Sequence, residues 1–184
     1  MNREEALELV KSNVKRRNVF LHMIAVEALM KAVAEHLGDD KALWGVTGLL
    51  HDIDYERTAD AFEKHGLLAQ EILDEKMLPQ VVLRAIKAHN HENTGVMPET
   101  RMEKALISAD AVSGLIMACA LVMPSKKARD VELKTVEKKF KDKDFARGAD
   151  RQRILMCEEI GIPREEFFLI ALRAIQSVGQ NLGI

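Results

Sequence analysis

The chain concentrates its chemistry in Gly48-Leu49-Leu50-His51-Asp52-Ile53-Asp54, where an imidazole and a carboxylate stand side by side at the end of an apolar, helix-like run. Adjacent side chains on a helix diverge by about 100°. At a helix end, however, the backbone can turn so that both converge on one ion. A neutral imidazole with a carboxylate suits Mn, Fe, Co, Ni, Zn or Mg. Three further histidines, His22, His65 and His89, occupy inward-facing or helix-terminal positions on other predicted helices, and Asp110 accompanies Asp52 as a second carboxylate. Between Ala105 and Ser125 the only charged residue is Asp110. A carboxylate alone in such an apolar helix costs several kcal/mol of desolvation unless it is paired or meets a cation. Taken singly, each of these residues has a structural reading, as a hydrogen-bonded core histidine or a salt-bridged core aspartate. Taken together over five helices, they favour a metal site.

The elements that must position them are helical. Aromatic residues make up 4% of the chain and alternating β-branched runs are lacking, whereas the 3.6-residue period recurs throughout. Asn2 can cap a first helix with Ala6, Leu9, Val10 and Val14 inward. Asn18 can cap a second, ended by Gly38, whose stripe Val19, Met23, Val26, Met30, Val33 and Leu37 runs beside His22. Asp39 or Asp40 can cap a third, carrying Leu43, Val46 and Leu50 into His51-Asp52, with Gly45 and Gly48 leaving room for a neighbouring helix. Tyr55 to Glu63 reads as a polar connection. His65 then opens a helix with Leu68, Ala69, Ile72 and Leu73 inward, and Pro79 begins another with Val82, Ile86 and His89 on one face. Thr100 with Glu103 forms a capping-box pattern ahead of the longest apolar run, which Pro124 stops. That run is about long enough to span a membrane, but Ser108, Asp110, Ser113 and Gly114 make a core helix the better reading. Pro163 starts a last helix, with Phe167, Ile170, Ala171, Ala174, Ile175 and Val178 on one face and Gly183 at its end.

Composition bounds the functional classes. The 184 residues suffice for one well-buried core. A net charge of -2 gives no strong nucleic-acid signal and no reason to expect a membrane surface. Cys119 and Cys157 are too few for a disulfide framework and read as core thiols; with no signal-peptide-like start, a cytoplasmic setting is expected. No P-loop, HExxH, GxSxG or CxxC pattern occurs. Residues 126–153 carry 11 Lys or Arg against 6 Asp or Glu. That segment, including Lys138, Lys139, Arg147, Arg151 and Arg153, reads either as a solvated face or as a phosphate-gripping wall.

The order His22, His51-Asp52, Asp110 resembles the H…HD…D signature of the HD superfamily of metal-dependent phosphohydrolases. Leu49-Leu50-His51-Asp52-Ile53 is similar to the HDIG-type branch. His65-Gly66 and Ala85-Ile86-Lys87-Ala88-His89 resemble the extra histidines of members that hold two metals. The resemblance spans roughly residues 18–122 and implies His22, His51, Asp52 and Asp110 as ligands of one metal, with Asp52 bridging to a second held by His65 and His89. It departs from the pattern at Asp54-Tyr55, where HDIG-type members have Gly and often a basic residue next, so the group that grips phosphate is open. Asp54 reads as a solvated turn residue or as a catalytic acid or base behind the ligands. His89 is preferred over His91 as ligand, with His91 contacting substrate.

The expectation is a single all-α domain over 1–184. It comprises an HD-like helical core at about 18–122 that carries one or two divalent ions, followed by a C-terminal helical extension at about 123–184. The expected activity is hydrolysis of a phosphate ester or anhydride in a small nucleotide-like substrate, through a metal-activated water and metals about 3.5–4 Å apart. Asp52 and Asp54 are the catalytic candidates, and His91, Lys138, Lys139 and Arg147 the substrate-binding ones. An HD-type di-iron oxygenase and a non-catalytic metal-stabilised module are the alternatives.

Overall fold

The computed structural model describes residues 1–73 and 78–184, and among them there is no strand. The helices are α1 (Arg3–Asn13), α2 (Arg17–Leu37), α3 (Lys41–Leu50), α4 (Tyr55–Thr58), α5 (Ala69–Ile72), α6 (Gln80–Ala88), α7 (His91–Thr94), α8 (Arg101–Val122), α9 (Leu133–Lys141), α10 (Arg151–Leu155) and α11 (Arg164–Leu182). One-turn 3₁₀ segments lie at Phe62–Lys64, Ala128–Asp130 and Glu158–Ile160.

Local chemistry explains most of the ends. Asn2 and Thr100 each form a reciprocal capping box, with Glu5 and Glu103 respectively. Asp40 caps α3 through Ala42 N and Leu43 N. Gly38 ends α2 in the left-handed region. Pro79 stands immediately before α6 instead of inside it.

Two expectations fail. The first is the cap of α2, which starts at Arg17 without a side-chain cap. Glu56, some forty residues downstream, instead accepts from Lys15 N and Arg16 N at 2.6 and 2.5 Å and holds the backbone that leads into α2. The second is the helix expected from His65. His65 instead closes the 3₁₀ turn, Gly66 takes φ +84°, and the helix is only Ala69–Ile72. A left-handed residue cannot continue a right-handed helix.

α2 and α8 run through the middle of the molecule. On one side Val10, Met23, Leu49, Leu50, Ile53, Val82 and Ile86 form an apolar cluster joining α1, the start of α2, α3 and α6. On the other, Val26, Met30 and Val33 of α2 and Leu106, Val112 and Ile116 of α8 meet Phe167, Phe168 and Ile175 of α11. The C-terminal elements therefore complete the core around α2 and α8. Among the described residues α8 is the one helix long and apolar enough to cross a membrane, and 67% of its apolar window is buried in the fold. α3 lies tightly on α2: a Cβ on Gly48 would sit 2.8 Å from Val26 O, so only glycine permits this approach.

Candidate metal centre

Four helices and two turns bring six side chains together, five of them lining one cleft and His51 buried behind them. His22 comes from the second turn of α2 and Asp110 from the middle of α8. His51 and His89 each occupy the residue that ends a helix, α3 and α6. There the partial negative charge of the helix C-terminus favours a cation. Asp52 follows in the turn after α3, and His65 ends the 3₁₀ turn.

The six form two groups that share a carboxylate: His22, His51 and Asp52, and Asp52, His65 and His89. Asp110 joins the first, its Oδ1 lying 3.0 Å from His22 Nε2 and 3.9 Å from His51 Nε2. Asp52 Oδ1 lies 3.4 Å from His51 Nε2, 3.1 Å from His65 Nε2 and 3.6 Å from His89 Nε2, while Oδ2 is 3.7 Å from His22 Nε2. His91 is in neither group.

The outer nitrogens fix the tautomers. His51 Nδ1 meets Gly48 O at 2.8 Å and His89 Nδ1 meets Ile86 O, the same i−3 arrangement at two helix ends. A carbonyl only accepts, so both Nδ1 atoms carry hydrogen. His22 Nδ1 lies 3.1 Å from Ser113 Oγ, whose own hydrogen goes to Asp110 O. His65 Nδ1 faces Asp54 Oδ1 at 2.9 Å. All four Nε2 atoms therefore turn inward. They meet in pairs, His22 with His51 at 3.2 Å and His65 with His89 at 3.0 Å. Two imidazole lone pairs at that distance repel unless a positive charge lies between them, whether a proton or a metal ion. This donor set fits divalent metal: imidazole nitrogens backed by acceptors, with a carboxylate reaching both pairs.

The electrostatics agree. Burial pushes His51 down to about 4, which keeps it neutral. Burial also opposes charge on His65, yet Asp52 and Asp54 outweigh it and raise His65 to about 9. Burial would raise both aspartates, but the surrounding imidazoles, His51 foremost, hold Asp52 well below the usual carboxylate range, and His22 brings Asp110 down to about 2. The carboxylates stay ionised and the cluster draws positive charge.

Asp54 is fully buried, which removes the solvated-turn reading. Its Oδ2 accepts from Gly66 N and Ala69 N at 2.8 and 2.9 Å while Oδ1 faces His65. It thus holds the irregular segment 65–69 against the turn after α3, and stands behind His65, one residue away from the cleft.

The cleft has a volume of about 260 Å³. Beyond the ligand candidates its walls include Asn18, Val19, Tyr55, Phe62, Asn90 and Arg153. Of these, only Arg153 stands out in the sequence as a candidate for chemistry, among the arginines of the basic segment. Asn90 Nδ2 donates to His65 O and Phe62 O, tying α6 to the 3₁₀ turn. Its position next to His89 was the available signal; for Phe62 and Tyr55 the signal was their rarity among eight aromatics. Lys138, Lys139 and Arg147 do not line the cleft. Lys139 pairs with Asp142 and lies over the Phe145 ring, and Arg147 pairs with Asp144 in solvent.

Comparison with known proteins gives the same picture. Ribonuclease Y of Desulfotalea psychrophila is 25% identical over 169 residues, 90% of this chain and 32% of that protein. Ribonuclease Y of Aquifex aeolicus is 27% identical over the same share of this chain and 30% of its own length. Ribonuclease Y of Clostridium botulinum is 34% identical over 98 residues, 53% of this chain and 18% of the relative. The chain thus spans about a third or less of the curated relatives it matches. No solved structure matches it. An HD domain suggests a hydrolase, and the paired His/Asp groups could hold divalent metal. The family model for the HD domain matches residues 19–115, the stretch that supplies all six converging side chains, and the chain belongs to the HD-domain family.

Proposed function

We propose that this protein hydrolyses a phosphate ester or anhydride of a small nucleotide-like substrate, with divalent metal as cofactor. The observation that carries this reading is the convergence of four inward Nε2 atoms and two ionised carboxylates at the base of one cleft. When bound, divalent ions supply Lewis acidity toward phosphoryl oxygens and activate water.

The chain's own residues do the rest. Asp52 reaches both groups of histidines and fixes their separation. Asp54 keeps the proton on His65 Nδ1, so that Nε2 presents its lone pair. His22 and Asp110 are partly exposed and form the open side of the cleft, where substrate enters. Phe62 supports the nucleotide-like substrate: it packs nearly parallel on His65, with ring centroids 5.0 Å apart, and is 50% exposed. One face is taken, and the other is offered where a base can stack.

The test is phosphate release by metal-stripped protein resupplied separately with Mn, Co, Mg, Zn or Fe(II). The substrates are nucleoside mono- and polyphosphates, cyclic nucleotides and short RNA, the last because the relatives are ribonucleases by name. Metal-dependent turnover of a nucleotide is expected. Absence of turnover with every metal and substrate would overturn the reading.

A further inference from the structure

We propose that Arg153, delivered by α10 from beyond the family match, is the phosphate-gripping cation of this cleft and tunes it to a phosphate dianion. The inference rests on the hydrolase reading and deepens it. It also supplies the cation missing at Asp54-Tyr55, where the resemblance to HDIG-type members calls for a basic residue and this chain has none.

Arg151 and Arg153 lie two residues apart and do opposite things. The Arg151 guanidinium donates to the carbonyls of Lys139, Phe140, Asp142, Phe145, Ala146 and Ala149. Its donors are spent holding the loop between α9 and α10, a structural task. Arg153 enters the metal cleft. One of its Nη atoms donates to His89 O, its Nε is buried without a partner, and among the described residues no carboxylate pairs with it. A guanidinium has five N–H donors in a rigid fork suited to phosphate oxygens. An arginine that keeps donors and charge unspent inside a cleft is prepared for an anion.

Its placement is fixed from behind. Asp150 caps α10 through Gln152 N and Arg153 N at 2.7 and 3.2 Å. Ser108 Oγ, two residues before Asp110 on α8, lies 3.1 Å from Arg153 O. The backbone that bears Arg153 is therefore held by the helix that bears Asp110. The contact with His89 O sets the guanidinium beside the second group of histidines.

Charge then suggests the class of phosphate. Two divalent ions set against Asp52, Asp54 and Asp110 leave one unit of positive charge, and Arg153 brings it to two. A terminal phosphate carries close to two negative charges near neutral pH, whereas a diester carries one. Arg153 thus favours a phosphomonoester or terminal phosphate over an internal diester.

The experiment uses the metal-loaded chain and inorganic phosphate, titrated by calorimetry, with metal content measured on the same samples. Arg153→Ala should weaken phosphate binding roughly 10- to 100-fold, the range for hydrogen bonds to a charged group, with metal content unchanged. Arg153→Lys should fall between parent and Arg153→Ala, because it keeps the charge and loses the fork, and it guards against a folding defect in the truncation. Arg153→Ala should also lower the ratio of kcat/KM for p-nitrophenyl phosphate to that for bis-p-nitrophenyl phosphate. Equal phosphate affinity in parent and Arg153→Ala would overturn the assignment while leaving the hydrolase reading intact. Loss of metal in step with loss of phosphate would overturn it too, by showing that Arg153 acts through the His89 carbonyl. A metal-loaded parent that takes up no phosphate would bring down the hydrolase reading and this assignment together.

Discussion

The two groups of ligands share Asp52 but are built from different material. His22, His51 and Asp110 stand on α2, α3 and α8, three of the better-packed helices of the fold. His65 hangs on a 3₁₀ turn followed by a left-handed glycine, and its segment is held to the turn after α3 by one buried carboxylate. Support behind the rings differs as well: a neutral hydroxyl, Ser113, backs His22, and a charged group, Asp54, backs His65. Where helix packing is scarce, electrostatics takes over the work of holding a ligand still.

The largest expected effect comes from removing what the halves share. Asp52→Ala should lose every bound metal equivalent, measured by elemental analysis, together with any phosphatase activity; retention of a full equivalent would show that the halves are independent. Next, His51→Ala and His89→Ala should each lose one equivalent and keep the other, and a double loss from either would mean that the halves fold as one unit. Asp54→Asn should weaken metal at the second half roughly 10- to 100-fold, the usual cost of losing a group that orients a ligand. Calorimetry should show the first half unchanged. Ser113→Ala tests the neutral counterpart and should cost only about 1 kcal/mol, that of an ordinary hydrogen bond; an effect as large as that of Asp54→Asn would erase the proposed contrast. Smallest of all, His91→Ala should leave metal stoichiometry untouched, because His91 belongs to neither group.

The same contrast decides what was legible in the sequence. The first half could be read, because His22 follows the α2 stripe, His51-Asp52 closes an apolar run, and Asp110 interrupts one. His89 was legible for the same reason: it continues Val82 and Ile86, both buried. What resisted was the segment that carries His65, because its order is non-local. Asp54 takes its partners twelve and fifteen residues onward, at Gly66 N and Ala69 N, and no hydrophobic period encodes that. Glu56 reaches further still, to the backbone that leads into α2, and Asn18, which reads as a cap, stands in the cleft wall. Nor could charge counting separate Arg151 from Arg153. Their roles diverge only once α10 is docked on α8 through Ser108.

Gly48 carries a consequence for anyone wishing to make the protein more heat-resistant. Exchanging helical glycines for alanine is a common route to a stabler chain, and α3 offers two. At Gly45 the nearest atoms to the new methyl belong to the Lys31 side chain, which would have to shift and loosen its pairing with Glu27 but contributes no backbone to the clash. At Gly48 it would meet the Val26 carbonyl, and the Gly48 backbone pushed away by that clash carries the oxygen that aligns His51. The replacement at Gly45 is thus the milder of the two, while its neighbour a turn away would trade rigidity for a misaimed imidazole.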